Sequence, residues 1–315
     1  MTEANGQMPQ APPRTPLQES WRILRRNRLA MTGMVFFVLF FVVAVAGVLV
    51  TSGRSPVCNP SVTRLPEQLR PPFSRYNPEV VLEADAPPFG IYVMGTDVLG
   101  RDVFSRMLQG AWVSLTIGFV AVGISVLIGV ILGGLAGYFG GWTDIIIARL
   151  VDTMLSIPSF FLILTVLALW GQGIFKIMVV VGLTSWIGTT RFVRAEFLSL
   201  REQDFVSAAR ALGGGSMRII FRHIMPNALT PVLVSATIGI AGTILLESGL
   251  SFLGFGVPDP HATWGKILSD GRKYIFDAAW LTFIPGFTIL IVVLSFNLFG
   301  EGLRDAFNPK LRERT

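Results

Sequence analysis

The sequence predicts an all-α integral membrane fold with six transmembrane helices, on three observations. Of 315 residues, 51% are hydrophobic and 15% charged, whereas a soluble domain carries about 25% charged residues. The mean hydropathy is +0.60. The apolar residues fall into long uncharged runs separated by arginine-rich stretches, and a soluble fold built from such runs would expose more apolar surface than water tolerates.

The chain opens with a polar segment over residues 1–21, containing Pro9, Pro12, Pro13 and Pro16. It is too poor in apolar residues to order itself and is expected to be a disordered cytoplasmic tail. Arg22, Arg25, Arg26 and Arg28 then precede an uncharged run from Leu29 to Gly53, longer than the roughly 20 residues a spanning helix needs. Residues 22–53 are therefore expected to form an amino-terminal anchor span with its start inside. Ala44-Val45-Ala46 resembles a signal-peptidase site, but a signal h-region runs only about 7 to 15 residues, which favours a retained anchor.

Residues 54–109 are polar and rich in proline, with Pro71-Pro72 and Pro87-Pro88 among them, and are expected to form an external loop. A five-span core over residues 110–305 follows. Span two lies within Gly110 to Thr143 and carries Gly129, Gly133, Gly137 and Gly141 at four-residue intervals. Glycines on one face let a second helix approach backbone to backbone, the favoured mode of association in lipid. The last of the four, beside Gly140, is expected to mark a loose helix end. Span three runs from about Ile146 to Leu169 with a kink at Pro158, and Arg149 and Asp152 share a face near its inner end. Span four, between Lys176 and Arg191, is short unless flanking residues contribute and its basic ends snorkel. Spans five and six fit Asn227 to Leu246 and Ala278 to Gly300.

Six spans put both termini on one side. Arg304 and the 306–315 tail, with Lys310, Arg312 and Arg314, are basic, as is the segment from Arg191 to Pro226. All of these then fall on the cytoplasmic side, where the positive-inside rule wants them. The formal net charge of +6 is thereby explained without nucleic acid. Cys58 is the only cysteine, and His223 and His261 lack the companions of a metal cage. No metal site is expected.

The cytoplasmic loop over residues 195–226 carries the strongest local signal. Asp204 to Leu212 is expected to be a short helix stopped by Gly213, Gly214 and Gly215. Ser216 is expected to cap a second helix through Arg222, ended by Pro226. Phe205, Leu212, Ile219, Ile220 and Phe221 are apolar for a cytosolic segment, and Ala208 and Ala209 offer a small-residue surface near the bend. On physical grounds a protein-docking projection and an amphipathic helix lying on headgroups fit equally.

Ser207-Ala-Ala-Arg-Ala-Leu-Gly213, followed by His223-Ile-Met-Pro226, resembles the EAA loop of ATP-binding-cassette importer permeases. Both alanines, the glycine and the proline match at the family's spacing, while Ser207, His223 and Met225 depart from its usual Glu, Ile and Leu. Three further stretches, Gly95 to Arg106, Glu247 to Pro258 and Asn297 to Asp305, resemble the dipeptide, oligopeptide and nickel permease family. The similarity is to the subunit type with a large external loop after its first span. It implies the type I ABC importer permease fold, with coupling-loop residues Ser207, Ala208, Ala209, Arg210, Gly213, Ser216, Arg218 and Pro226. The implied partners are a second homologous permease subunit, two cytosolic ATPases carrying the ATP and Mg, and an extracytoplasmic solute-binding protein that sets substrate choice. The bacterial inner membrane is the implied location.

Against that frame, Asp97, Arg101, Asp102 and Arg106 are expected to be a solvated ion-pair network, with contact to the binding protein as the alternative. Glu247 is a candidate for the pathway, with local helix-end hydrogen bonding as the competing role. No catalytic residues are expected. The phosphate-loop pattern is absent, since Gly265-Lys266 is followed by Ile267. Neither a nucleophile elbow nor a His-Glu-x-x-His helix occurs. An ion-coupled secondary transporter is the alternative function, disfavoured because every clear charge falls at a span end.

Overall fold

A computed structural model describes residues 16–53 and 56–307. Among these, the chain runs as α1 (Pro16–Arg26), α2 (Arg28–Thr51), α3 (Val103–Phe139), α4 (Gly141–Leu155), α5 (Ser159–Trp170), α6 (Ile174–Arg201), α7 (Asp204–Ala211), α8 (Ser216–Ile219), α9 (Met225–Phe252), α10 (Trp264–Gly271) and α11 (Trp280–Phe307). A two-stranded antiparallel ribbon, β1 (Ser74–Arg75) with β2 (Ile91–Tyr92), sits in the segment between α2 and α3. Five helical stretches are long and apolar enough to cross a bilayer, and α4 with α5 makes a sixth if the bent pair counts as one span. Even the 24-residue α2 reaches about 36 Å at 1.5 Å per residue, beyond a hydrocarbon core of about 30 Å.

The boundaries differ from expectation in ways that have local causes. The tail expected over 1–21 is helical from Pro16, and residues 1–15 lie outside the described part. Asp102 caps α3 by accepting from the Ser105 amide at 3.0 Å, so that helix starts seven residues before Gly110 and the outer segment is correspondingly shorter. Pro158 does more than kink span three. It precedes Ser159 at the head of α5, and α4 and α5 meet at 77°, because a proline supplies no amide to bridge the turn. Span four is full length: α6 passes through both Lys176 and Arg191 without a break. Lys176 snorkels, its Nζ reaching the Trp170 carbonyl at 2.6 Å. At the carboxyl end α11 continues to Phe307, while Lys310, Arg312 and Arg314 lie outside the described residues.

The glycine stripe organises the bundle. A Cβ at Gly129 would lie 2.5 Å from Thr189 Cβ, one at Gly133 2.6 Å from the Thr190 carbonyl, and one at Gly137 2.6 Å from Phe197 Cβ. All three neighbours belong to α6. From the other side, a Cβ at Gly182 would lie 2.9 Å from the Ala121 carbonyl of α3. Gly141 has open space around it and a φ of +53°, so the fourth glycine turns the chain between α3 and α4 and packs against nothing. Arg149 and Asp152 pair at 4.0 Å, both largely exposed.

Gly133→Leu should therefore destabilise the bundle by about 2 kcal/mol or more, because the obstructing atom is a backbone oxygen that cannot rotate away. Gly123→Ala, at an exposed position of α3 with open space around it, should be neutral or slightly stabilising. Detergent-solubilised thermal midpoints compare the two.

Candidate functional site

Two regions have the makings of a transport site: a groove in the middle of the bundle and a helical projection at one end of it. The groove lies between α3, α6 and α9, is open on one side, and has a volume of about 290 Å³. Ser125, Ser185, Thr189, Ser235 and Thr243 are among its lining residues, with Gly188, Gly239 and Gly242 between them. Its lining contains no ionisable side chain. Ser125 and Thr189 hydroxyls lie 3.5 Å apart across the α3–α6 contact, which places the groove beside the glycine stripe and at mid-helix depth.

The projection is the 195–226 loop. Val206 of α7 is fully buried with Ile219, Ile220 and Ile224, against Phe197 of α6 and Tyr138 of α3. That cluster seats the loop rigidly on the bundle. The bend after α7 depends on Gly213, whose φ of +77° favours glycine. It depends equally on Gly214, whose amide donates to the Ala209 carbonyl at 2.9 Å. A Cβ at Gly214 would sit 2.7 Å from that carbonyl oxygen.

Ser207, Ala208, Arg210, Gly213, Ser216, Arg218 and Pro226 are exposed and Ala209 half-buried. Of the apolar residues noted in the sequence, Ile219 and Ile220 are core. Leu212, 89% exposed, and Phe221, 62% exposed, face outward with Met217.

Two local expectations for this loop require correction. Ser216 does not cap α8; it is the first helical residue, and Gly215 stands at the cap with no side-chain bond. Pro226 does not end a helix. The chain from Ser216 to Phe252 is helical throughout, because Ile220–Ile224 forms a π-helical turn in which the Met225 amide reaches the Ile220 carbonyl. The Met225 amide keeps a backbone partner across the widened turn, and Pro226, which has no amide hydrogen to place, sits in the first turn of α9, where proline is tolerated.

The outer charged residues are brought together, but as interior and not as surface. Asp97, Arg101, Asp102 and Arg106 are each 4% exposed or less, so the expected ion-pair network is buried and not solvated. Arg101 bonds Asp97 at 2.7 Å and Asp259 at 2.7 Å. Arg106 lies 3.5 Å from Asp97 and 3.4 Å from Asp270, and Asp270 also meets Lys266 at 2.8 Å. The cluster ties the start of α3 to α10 and the loop before it. Burial pushes the Asp102 carboxyl above its ordinary range, against its bonds from Ser105. Burial also opposes ionisation of Asp259, yet the hydrogen bond and charge of Arg101 hold it below the ordinary carboxylate value.

Glu247 is fully buried at the end of α9, accepting from Ser251 at 2.7 Å and Thr263 at 2.8 Å. Thr243 and Leu246 of the same helix line the groove, whereas the Glu247 carboxylate is engaged in this local hydrogen bonding. The sequence missed the groove because hydroxyls and glycines within apolar runs look like ordinary helix-packing residues.

Five apolar helices and a bent helix pair, with a charge-free groove between them and a seated projection at one end, make the architecture of a multi-span membrane subunit. The comparisons with known proteins give its kind. Residues 129–313 match the model of the binding-protein-dependent transport system inner membrane component family, and residues 15–72 match the N-terminal TM domain of oligopeptide transport permease C. The chain is 38% identical to the dipeptide transport system permease protein DppC of Alkalihalophilus pseudofirmus, over 95% of this chain and 91% of that one. It is also 38% identical to the oligopeptide transport system permease protein OppC of Bacillus subtilis, over 92% and 88%. Among solved structures, an inward-facing MetNI methionine ABC transporter chain matches with a TM-score of 0.53 at 20% identity, covering 65% of this chain and 98% of that one. The chain belongs to the binding-protein-dependent transport system inner membrane component family and has the type I ABC importer permease fold. It is a permease subunit of the inner membrane and not an enzyme.

Arg101→Met should cost about 3 kcal/mol, the usual penalty for leaving a buried partner such as Asp97 uncompensated. The pH dependence follows from Asp259. Its depressed value means that its pairing stabilises the fold above the ordinary carboxylate pKa of about 4 and is lost as pH falls through the folded value. Thermal midpoints of the wild type should therefore drop toward acid pH more steeply than those of Arg101→Met.

Proposed function

We propose that this chain forms half of the pore of an ATP-driven importer for peptides or peptide-like solutes. The observation that carries the reading is its 38% identity, over nearly its full length, to dipeptide and oligopeptide permeases. The charge-free groove supports it: a zwitterionic peptide of any side-chain composition meets hydroxyls and bare backbone there, and no fixed charge attracts or repels it. An ion-coupled carrier would want ionisable groups at that depth, and the groove has none.

In this reading the open side of the groove faces a second, homologous permease subunit. The α7–α8 projection seats one of two cytosolic ATPases through Leu212, Met217 and Phe221 around the Ala208-Ala209 bend. ATP and Mg are held by those ATPases. Their closure moves the projection as a unit, since a packed interface switches between discrete arrangements. An extracytoplasmic binding protein delivers the solute, and both termini are cytoplasmic, a placement supported by the charges of Arg22 to Arg28, the basic 191–226 segment and Arg304.

Affinity purification from native membranes tests the partners. The wild type should bring down a second six-span protein and two copies or kinds of ATPase. Gly213→Val, which forces a β-branched residue into a left-handed conformation, should lose the ATPases and keep the second permease. A wild-type chain that purifies alone sinks the proposal. For the pathway, Gly242→Trp should abolish most uptake of a labelled dipeptide in proteoliposomes supplied with the binding protein. A Cβ at Gly242 meets no atom of this chain within 4 Å, so the chain itself should fold, and co-purification of the second permease separates a blocked path from a lost interface.

A further inference from the structure

We propose that the exposed face of α1 is a binding site for the phosphate headgroup of an anionic phospholipid. Only Asn27 separates α1 from the spanning helix α2, and its carboxamide oxygen caps α2 by accepting from the Ala30 amide at 3.2 Å. With so short a link, the 11 residues of α1 are confined to the layer where α2 enters the bilayer.

One face of α1 is fixed to protein. Ser20 and Leu24, one helical turn apart, are buried, and Leu24 packs with Ala30 and Ala306. The seat is a close approach at Gly302 of α11, where a Cβ would collide with the Ala30 methyl and come within 3.0 Å of Leu24 Cδ1. The helix therefore cannot roll.

Its other face presents Arg22, Arg25 and Arg26, which at i, i+3 and i+4 share one side of the helix. All three are exposed, and none makes an ion pair or hydrogen bond from its side chain to any described residue. Arg28 adds a fourth exposed guanidinium at the start of α2, and Trp21 is 48% exposed beside them. A tryptophan ring at that level is the ordinary marker of the headgroup layer. Guanidiniums bind phosphate through paired N–H donors, and anionic lipid is the phosphate carried by the layer in which α1 lies.

Arginines here also serve as a topology signal, and the two roles separate cleanly. A topology signal needs only the charges, whereas a headgroup site needs those charges held on a fixed face. The proposal concerns this chain alone and stands whether or not the importer reading does.

The test is native mass spectrometry of the full chain, purified with the subunits it carries and titrated separately with phosphatidylglycerol and phosphatidylcholine. The wild type should retain phosphatidylglycerol selectively. R22Q/R25Q/R26Q should lose that retention by at least about tenfold with phosphatidylcholine binding unchanged. Leu24→Ala keeps every charge and loosens only the seat, and should lower phosphatidylglycerol retention severalfold. Millimolar inorganic phosphate should not displace the lipid; displacement would mean that the face takes soluble anions instead and would overturn the lipid assignment. Unchanged phosphatidylglycerol retention in the triple variant overturns it too. If that variant fails to insert, unchanged retention in Leu24→Ala does the same.

Discussion

In a bilayer, moving an apolar side chain from lipid to protein gains little, so helices stay together only where their surfaces fit closely. For this chain the decisive fit is the approach of α3 to α6 along Gly129, Gly133 and Gly137, answered by Gly182. The same device recurs around the bundle. Gly33 of α2 meets the Phe299 amide of α11 at a would-be Cβ distance of 2.8 Å, Gly47 of α2 meets the Leu108 carbonyl of α3, and Gly300 of α11 meets Ile238 of α9. Because α3 and α6 also form two walls of the groove, and α6 leads directly into the projection, one line of backbone contact positions both functional regions.

The end of the bundle at the start of α3 is held by a different force. Arg101 and Arg106 share three carboxylates, Asp97, Asp259 and Asp270, and the pairing joins segments more than 150 residues apart. Such buried pairs seldom add much net stability over apolar packing, but breaking one is costly. They therefore fix how α10 and its preceding loop sit on α3. Glu247 extends the same logic one turn deeper, binding Ser251 of its own helix and Thr263 at the start of α10.

Much of the fold was legible in the sequence because lipid imposes a simple code. Uncharged runs of sufficient length located the spans, and the four-residue glycine spacing correctly picked out the contact face of α3. Charge gave less. Lys176 and Arg191 suggested a short span, yet long basic side chains let α6 continue past both. Asp97, Arg101, Asp102 and Arg106 look like a solvated cluster in a polar loop; their carboxylate partners at 259 and 270 are remote in sequence, and only the fold shows that they are buried. The end of the loop helix was misplaced at Pro226 for a related reason. Proline forbids a regular α-helical hydrogen bond in a helix interior, but it is tolerated in a first turn, and the π-helical turn that sets Pro226 there has no local sequence signature. The groove left no trace that periodicity could detect.

That π-helical turn has a mechanical corollary. Since it carries the helix on from Ser216 to Phe252, the second half of the projection and one wall of the groove belong to one continuous helical stretch of 37 residues. Between the exposed Met217 end and Gly239 and Gly242 this stretch holds two places where a helix can bend, the π-helical turn at Ile220–Ile224 and Pro231 inside α9, so the stiffness of those two points sets how much of a displacement of the projection reaches the groove.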